Sequence, residues 1–236
     1  MKRIALVWCS ERLGTTFQRM FLDTFRQPGE QWDVLSAADP EFEALATGYD
    51  GYVISGSEKS VVEDAQTPLV ARLLGWLSRT AETSASPVLG ICFGAQAVAA
   101  ALGGKVGRNP GSGFRLGVET LECNAAADRQ RWPELDPNAV LVASHGECVL
   151  TLPTNTTELA SSKTVPHEIF LIRDRFLGIQ GHPEMTIRDL QEGFMPLHRA
   201  QFSAEKWREV EQECGLTLRR EGVVALGRRL LAQGRL

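Results

Sequence analysis

The sequence predicts an α/β fold in which an open, mostly parallel sheet carries helices on both faces. Short apolar runs alternate with segments that have apolar side chains at helical spacing, which is typical of strand–helix–strand units. The length of 236 residues suits one domain with a sizeable core. We therefore expect a single domain over 1–236, with a helical C-terminal tail from about residue 203.

The first half of the chain carries this alternation most clearly. Apolar residues spaced three and four apart predict amphipathic helices, and the short apolar runs between them predict buried strands. Because helices separate successive strands, the strands are expected to pair in parallel. The strands are expected at 3–9, 32–35, 51–54 and 88–91, and the helices at 15–25, 69–77 and 95–102.

The second half, after Gly104, consists of short strand-like pieces that Pro, Asn and Gly separate. The segment 124–139 is expected to form a surface loop or an inserted helical turn, and helices resume at about Ile187. The strand-like pieces lie at 116–121, 139–143, 148–152, 158–160, 168–172 and 176–179.

Composition argues against several functional classes. The formal net charge of −4 and the isoelectric point near 5.7 provide no basic surface for nucleic acid. No apolar run reaches membrane-spanning length, and the N-terminal apolar stretch is too short for a secretion signal. Five cysteines without a CxxC pair indicate a reducing compartment, with neither a disulfide framework nor a zinc site. We expect a cytoplasmic protein that needs no metal and no cofactor and binds neither nucleic acid nor membranes.

The C-terminal segment combines arginines with apolar residues at helical spacing. This pattern predicts an amphipathic helix that packs on the domain and keeps a solvated basic face. A contact with a membrane or with RNA is the alternative. The arginines are Arg219, Arg220, Arg228 and Arg229.

Cys92 lies between Gly90 and Gly94, where an apolar run meets an alanine-rich run. The first run predicts a strand and the second a helix, so the cysteine lies on the turn between them. A turn this tight leaves no room for side chains at the flanking positions, and the helix N-terminus favours a thiolate. The alternative is an ordinary buried cysteine. The pattern G-x-C-x-G makes Cys92 the candidate nucleophile.

A thiol nucleophile requires a base, and His182 is the candidate among the four histidines. It follows the apolar run 176–180, so it lies at the carboxyl end of a strand, as Cys92 does. Pro183 keeps the segment extended, and Glu184 therefore projects to the same side as His182. A carboxylate there can accept the Nδ1 proton and leave Nε2 facing the sulfur. Taken singly, the two residues would be a turn histidine and a solvated acid; together with Cys92 they form a candidate catalytic triad.

At these two motifs the sequence resembles the class I (triad-type) glutamine amidotransferases. The segment GICFGAQ, 90–96, matches the G-x-C-x-G-x-Q motif of that family, and GHPE, 181–184, matches its H-P-E motif. The resemblance runs over about 3–194 and implies a flavodoxin-like sheet. It also implies that Cys92 attacks to form a γ-glutamyl thioester, with His182 as base and then acid and Glu184 as the group that orients it.

Two further segments resemble the GMP-synthase type within this family. VISGSEKSVVED, 53–64, is similar to the oxyanion loop, and SHGECVLTLP, 144–153, is similar to a pocket segment in which Glu147 replaces an aspartate. The resemblance implies that the N–H groups of Ser57 and Phe93 bind the oxyanion. The residues implied in substrate binding are Gly56, Gln96, Ser144 and His145.

The resemblance implies hydrolysis of the side-chain amide of glutamine, with ammonia released to a separate synthetase partner. The chain has neither a GxxxxGK phosphate loop nor the S-G-G-x-D-S motif of the ATP pyrophosphatase domain found in many GMP synthases. A free-standing relative can instead be a γ-glutamyl peptidase, which needs no acceptor, or an inactive binding subunit. The GMP-synthase-like segments favour the glutaminase, and either enzyme acts on a small-molecule substrate.

Overall fold

The computed structural model describes residues 1–111, 113–124 and 130–236. Strands and helices alternate at first, and short strands then dominate. The strands are β1 (Lys2–Trp8), β2 (Glu30–Ser36), β3 (Gly51–Ile54), β4 (Val88–Ile91), β5 (Lys105–Arg108), β6 (Arg115–Thr120), β7 (Glu122–Cys123), β8 (Val140–His145), β9 (Glu147–Thr151), β10 (Thr156–Ser161), β11 (Ile169–Ile172) and β12 (Phe176–Ile179). The helices are α1 (Thr15–Phe25), α2 (Phe42–Leu45), α3 (Pro68–Thr83), α4 (Phe93–Ala101), α5 (Ile187–Asp189), α6 (Met195–His198), α7 (Ala204–Glu213) and α8 (Glu221–Gln233), with a π-helix at Leu190–Phe194 and a 3-10 helix at Arg199–Gln201.

The central sheet has, among the described residues, eight strands in the order β2-β1-β3-β4-β12-β11-β10-β7. The first five of these pair in parallel, and β11, β10 and β7 extend the sheet with antiparallel pairing. The predicted fold class, an α/β fold with an open, mostly parallel sheet, is confirmed. In the β4–β12 pair, Ile91 lies opposite Ile179. The turns that follow these two strands are therefore neighbours at the carboxyl ends of the parallel strands.

Helices cover both faces of this sheet. On one face α3 and α4 pack against the strands, and Leu73 and Leu77 are fully buried there. On the other face lie α1 and α8, with Phe25 and Leu226 fully buried. A Cβ added to Gly227 would lie 3.0 Å from the Phe25 ring, so this glycine allows α8 to approach α1 closely. The strands β3, β4, β11 and β12 are fully buried between two apolar layers, as their continuous apolar sequences predict.

Two smaller antiparallel pairs, β5 with β9 and β6 with β8, lie beside the central sheet in the described part of the chain. The β6–β8 pair corresponds to the strands expected near 116–121 and 139–143, and it places Arg115 opposite His145. Sequence patterns did not predict β5, because its sequence KVGR is short and lacks an apolar run. The loop expected at 124–139 lies partly outside the described residues, and its described part, Asn124 and 130–139, consists of turns and irregular backbone.

The C-terminal helices require a correction to the expected solvated basic face. The Arg228 side chain donates to the carbonyl oxygen of Thr24 at 2.9 Å, and Arg220 donates to the carbonyl oxygen of Pro183. These guanidinium groups bind backbone acceptors that neighbouring elements leave open, which anchors α8 to α1 and to the turn after β12. No helix in the described ranges has the length and apolar character needed to cross a membrane.

Candidate active site

Cys92 lies on the turn between β4 and α4 with its backbone in the left-handed region, at φ +52°. Such a conformation costs a residue with a side chain about 1–3 kcal/mol. A Cβ added to Gly90 would lie 2.5 Å from the carbonyl group of Gly94, and one added to Gly94 would overlap the carbonyl oxygen of Ile54. The turn is therefore a nucleophile elbow, in which a strained cysteine lies between two positions that only glycine can occupy.

His182 follows β12 and is fixed at both its backbone and its side chain. Its backbone N–H donates to the carbonyl oxygen of Val142 at 2.8 Å, and its Nδ1 lies 2.7 Å from Glu184 Oε1. Both side chains of the pair are buried. Because an ionised carboxylate can only accept hydrogen bonds, Nδ1 carries the proton and Nε2 is left to face Cys92.

Burial and the neighbouring groups have opposite effects on the pKa of His182. Burial lowers the pKa of its imidazole, but the negative charges and hydrogen bonds of Glu184 and Cys92 outweigh burial and raise the pKa well above its ordinary value. A Cβ added to Gly56 would lie 3.3 Å from His182 Cε1 and 3.8 Å from Cys92 Cβ. The loop after β3 thus passes directly over the imidazole and the cysteine. The surroundings of His182 favour the charged form of its imidazole.

One predicted oxyanion donor, Phe93, belongs to the elbow, and the other, Ser57, lies in the loop after β3. Phe93 is the first residue of α4, where N–H groups have no partner within the helix and the helix dipole is positive. The Ser57 hydroxyl donates to the carbonyl oxygen of Cys9 at 2.7 Å and accepts from the N–H of Lys59 at 3.0 Å. The side chain of Ser57 therefore holds its loop against the end of β1, and only its backbone N–H is available for the predicted role.

A buried amide network that the sequence did not predict supports the floor of the site. Gln96 Nε2 donates to the carbonyl oxygen of Glu147 at 2.7 Å and to Gln180 Oε1 at 3.3 Å. Gln180 Nε2 in turn lies 3.9 Å from Cys92 Sγ. Gln180 could have been found from the sequence, because it is a polar residue that directly follows an apolar strand. It lies two positions before His182, and an extended backbone directs both side chains to one side.

His145 presents a hydrogen-bond acceptor to the site. Asn109 Nδ2 donates to the His145 carbonyl oxygen at 2.8 Å, which orients the Asn109 amide, and its Oδ1 lies 3.1 Å from His145 Nδ1. Burial, with the nearby charges of His182 and Arg115, lowers the pKa of His145 to about 3, so the ring is neutral. Nδ1 then carries the proton, and Nε2, which is buried with no partner among the described residues, can accept one from a ligand.

These groups surround a cavity of about 690 Å³. Every residue predicted for the site lines it, although the structure alone leaves their roles as predictions. They are Gly56, Ser57, Cys92, Phe93, Gln96, Ser144, His145, His182 and Glu184.

The far side of the cavity was not predicted from the sequence. It is an apolar wall that includes Phe194, Leu197 and His198, which share one helical face at spacings of three and four. Such spacing is the ordinary signature of a helix that packs on a core, so sequence alone gave no reason to place these side chains in a site.

An α/β sheet that presents a cysteine elbow beside a buried histidine–carboxylate pair defines the class of protein: a cysteine-type amide hydrolase. A family model described as glutamine amidotransferase class-I matches residues 13–196, and the chain belongs to this family. The resemblance seen in the two sequence motifs is thereby confirmed.

The relatives of this chain include γ-glutamyl peptidases and glutamine-hydrolyzing GMP synthases. It is 37% identical over 178 residues to Gamma-glutamyl peptidase 4 from Arabidopsis thaliana, across 74% of this chain and 69% of that protein. It is 32% identical over 160 residues to a glutamine-hydrolyzing GMP synthase from Yersinia pestis, across 66% of this chain but only 28% of that protein. The crystal structure of a glutamine amidotransferase from Methylobacillus flagellatus has the same fold, with a TM-score of 0.74 at 18% identity over 100% of this chain and 96% of the other.

Proposed function

We propose that the chain is a γ-glutamyl hydrolase that cleaves the γ-amide bond of γ-glutamyl peptides and related amides. One observation carries this choice: the cavity of about 690 Å³ continues past His182 along the rings of Phe194 and His198. That volume lies in the range of sites for ligands much larger than one amino acid, and it accommodates an amine larger than ammonia. The similarity to Gamma-glutamyl peptidase 4 supports the same class of substrate.

Acylation begins with attack of the Cys92 thiolate on the γ-carbonyl carbon, which forms a C–S bond and moves an electron pair onto the carbonyl oxygen. The N–H groups of Phe93 and Ser57 bind this oxyanion. His182, charged because of Glu184, donates its Nε2 proton to the departing nitrogen as the C–N bond breaks. A γ-glutamyl thioester and a free amine result.

Deacylation uses the same groups with the proton moving in the opposite direction. His182 Nε2, now neutral, takes a proton from water, whose oxygen attacks the thioester carbon. The C–S bond then breaks, glutamate leaves, and the Cys92 thiolate again faces an imidazolium. His145 Nε2 supports substrate binding in both steps, since a neutral acceptor there suits the ammonium group of the γ-glutamyl moiety.

The loop that carries Ser57 supports activity without a partner protein. Ser10 Oγ donates to Glu58 Oε2 at 2.7 Å, Lys59 pairs with Glu11 at 2.7 Å, and Ser60 Oγ donates to Glu147 at 2.8 Å. A loop with this many contacts is already positioned, so an oxyanion donor in it needs no further ordering.

The second candidate is a glutaminase that supplies ammonia to a separate synthetase. The similarity to the GMP synthase from Yersinia pestis supports it. In this case glutamine itself is the substrate, and the chain alone is expected to turn over slowly, because ammonia released without an acceptor serves no synthesis.

The test compares steady-state hydrolysis of γ-Glu-Ala and of glutamine by the purified chain. We expect kcat/KM for the dipeptide to exceed that for glutamine by about tenfold or more. Cys92→Ala is expected to abolish both activities, and Cys214→Ala, at a cysteine outside the cavity, serves as the matched control. Rapid hydrolysis of glutamine with the dipeptide left intact would reverse the order of the two candidates.

A further inference from the structure

The apolar side of the cavity is formed by four packed rings and one leucine, which together we call the aromatic wall: Phe17, Phe114, Phe194, His198 and Leu197. The Phe194 and His198 rings are parallel within 3° at 6.2 Å between centroids, and Phe114 stacks on His198 at 4.3 Å. Phe17 meets Phe194 edge to face at 5.6 Å. Geometry of this kind is typical of rings that stabilise one another and so present a preformed surface.

The wall remains open to the cavity although its rings are packed together. Leu197 is 62% exposed, and Phe17, Phe114 and Phe194 are only partly buried. Nothing in the mechanism proposed above uses these side chains. Contiguous exposed apolar surface inside a concave site marks a place where a ligand removes it from water.

His198 contributes an uncharged ring to this surface. Burial lowers the pKa of its imidazole, so the neutral form is favoured at pH 7. Its Nδ1 accepts a hydrogen bond from Gln201 Nε2 at 2.9 Å, which fixes the tautomer and the orientation of the ring. A neutral ring held in this way adds apolar surface to the wall and no charge that would attract a polar group.

The position of Phe194 beside His182, the proton donor, determines which part of a substrate reaches the aromatic wall. The Phe194 ring lies 5.8 Å from the His182 ring. Because His182 must protonate the departing nitrogen, the substituent on that nitrogen lies against His182 and therefore next to Phe194. The acyl half of the substrate is held on Cys92 and by the oxyanion donors, so the rings are left to the amine half.

We propose that the aromatic wall is the leaving-group subsite and selects γ-glutamyl amides whose amine carries an aromatic or branched aliphatic side chain. This rests on the proposed γ-glutamyl hydrolase activity and specifies its substrate class. An amine with no side chain leaves Leu197 and the rings in water, whereas a phenylalanyl amine covers them. Apolar discrimination in such pockets is about tenfold or more per group. We expect kcat/KM for γ-Glu-Phe to exceed that for γ-Glu-Gly by at least about tenfold.

The experiment measures the ratio of kcat/KM for γ-Glu-Phe to that for γ-Glu-Gly in the full-length chain and in three variants. Leu197→Ala and His198→Ala are expected to lower this ratio by about fivefold or more, because each removes part of the wall. Leu150→Ala is the matched control: this leucine is 42% exposed on β9, does not line the cavity, and is expected to leave the ratio unchanged. Phe194 is not varied, since its ring also contacts His182.

The outcomes separate the subsite from the activity on which it depends. Cleavage of both dipeptides with equal kcat/KM would overturn the subsite and leave the γ-glutamyl hydrolase in place. A ratio that Leu197→Ala and His198→Ala leave unchanged would do the same. If neither dipeptide were cleaved while glutamine was, the proposed activity and the subsite would both be wrong.

Discussion

Gln180 directly follows β12, and its Nε2 lies 3.9 Å from Cys92 Sγ. An amide N–H at that position can stabilise negative charge on sulfur, and hydrogen bonds to charged groups contribute about 1.5–3 kcal/mol. We therefore predict that Gln180→Met, which keeps the length of the side chain but removes the donor, slows alkylation of Cys92 by iodoacetamide by about tenfold. Gln191→Met, at an exposed glutamine, is the control. An unchanged alkylation rate in Gln180→Met would assign Gln180 a purely structural role.

The cysteines should differ sharply in reactivity. Burial raises the pKa of Cys9 and of Cys148 to about 12, so both stay protonated at neutral pH, whereas Cys92 faces the imidazolium of His182. We predict that iodoacetamide modifies Cys92 first in the native chain, as measured by mass spectrometry of the peptides over time. Labelling of Cys92 and Cys148 at equal rates would contradict the elbow assignment.

Substitutions of His182 and of Glu184 should lower kcat/KM by unequal amounts. His182→Ala removes the group that moves the proton, and we predict a loss of kcat/KM of at least about 10³-fold. Glu184→Gln keeps the shape of the pair and removes only the charge, so its loss is expected to be smaller. His167→Ala, at a histidine outside the cavity that pairs with Glu158, is the matched control. A greater loss in Glu184→Gln than in His182→Ala would refute the orienting role.

A buried carboxyl group away from the elbow should make stability depend on pH. Burial raises the pKa of Glu168 from 4.5 to about 7, with Glu119 adding to the rise and the Ser162 hydrogen bond and Arg115 opposing it. Below pH 4.5 the folded and unfolded chains both hold the proton; between 4.5 and about 7 only the folded chain does, so the free energy of unfolding falls as pH rises. The corresponding loss is on the order of 3 kcal/mol.

Glu168→Gln tests this pH dependence directly. We predict that the variant loses less stability between pH 5 and pH 8 than the parent chain, as measured by urea denaturation at both pH values. Glu122→Gln, at an exposed glutamate, should show the parent behaviour. Identical pH dependence in Glu168→Gln and in the parent chain would show that Glu168 does not hold its proton in the fold.

The strands that flank the site were predictable because local signals agree there. The expected bounds of β3, β4 and β12 match the structure residue for residue, since each is a fully buried apolar run between turn-forming residues. The order of the strands is a tertiary property. Sequence indicated that Cys92 and His182 each follow a strand, but only the pairing of β4 with β12 makes those strand ends neighbours. The single-domain organisation over 1–236 stays a prediction.

The parts of the site that were not predicted depend on contacts between distant segments of the chain. Leu197 and His198 lie on an ordinary amphipathic segment, and the wall forms only when Phe114, which directly precedes β6, stacks on His198. Gln180 joins the buried amide network through its hydrogen bond from Gln96, which lies on another element, α4. Residue spacing carries information about one element at a time, whereas contacts between elements depend on packing.

The hydrogen bond from Arg220 to the carbonyl oxygen of Pro183 sets an order of events during biosynthesis. Cys92 leaves the ribosome long before α8, yet α8 packs on β4 and is anchored beside the turn that follows His182. A nascent chain therefore exposes its thiol before the helix that restrains the histidine has been made. During synthesis the turn that carries His182 can therefore gain this hydrogen bond only after the start of α8 has been translated.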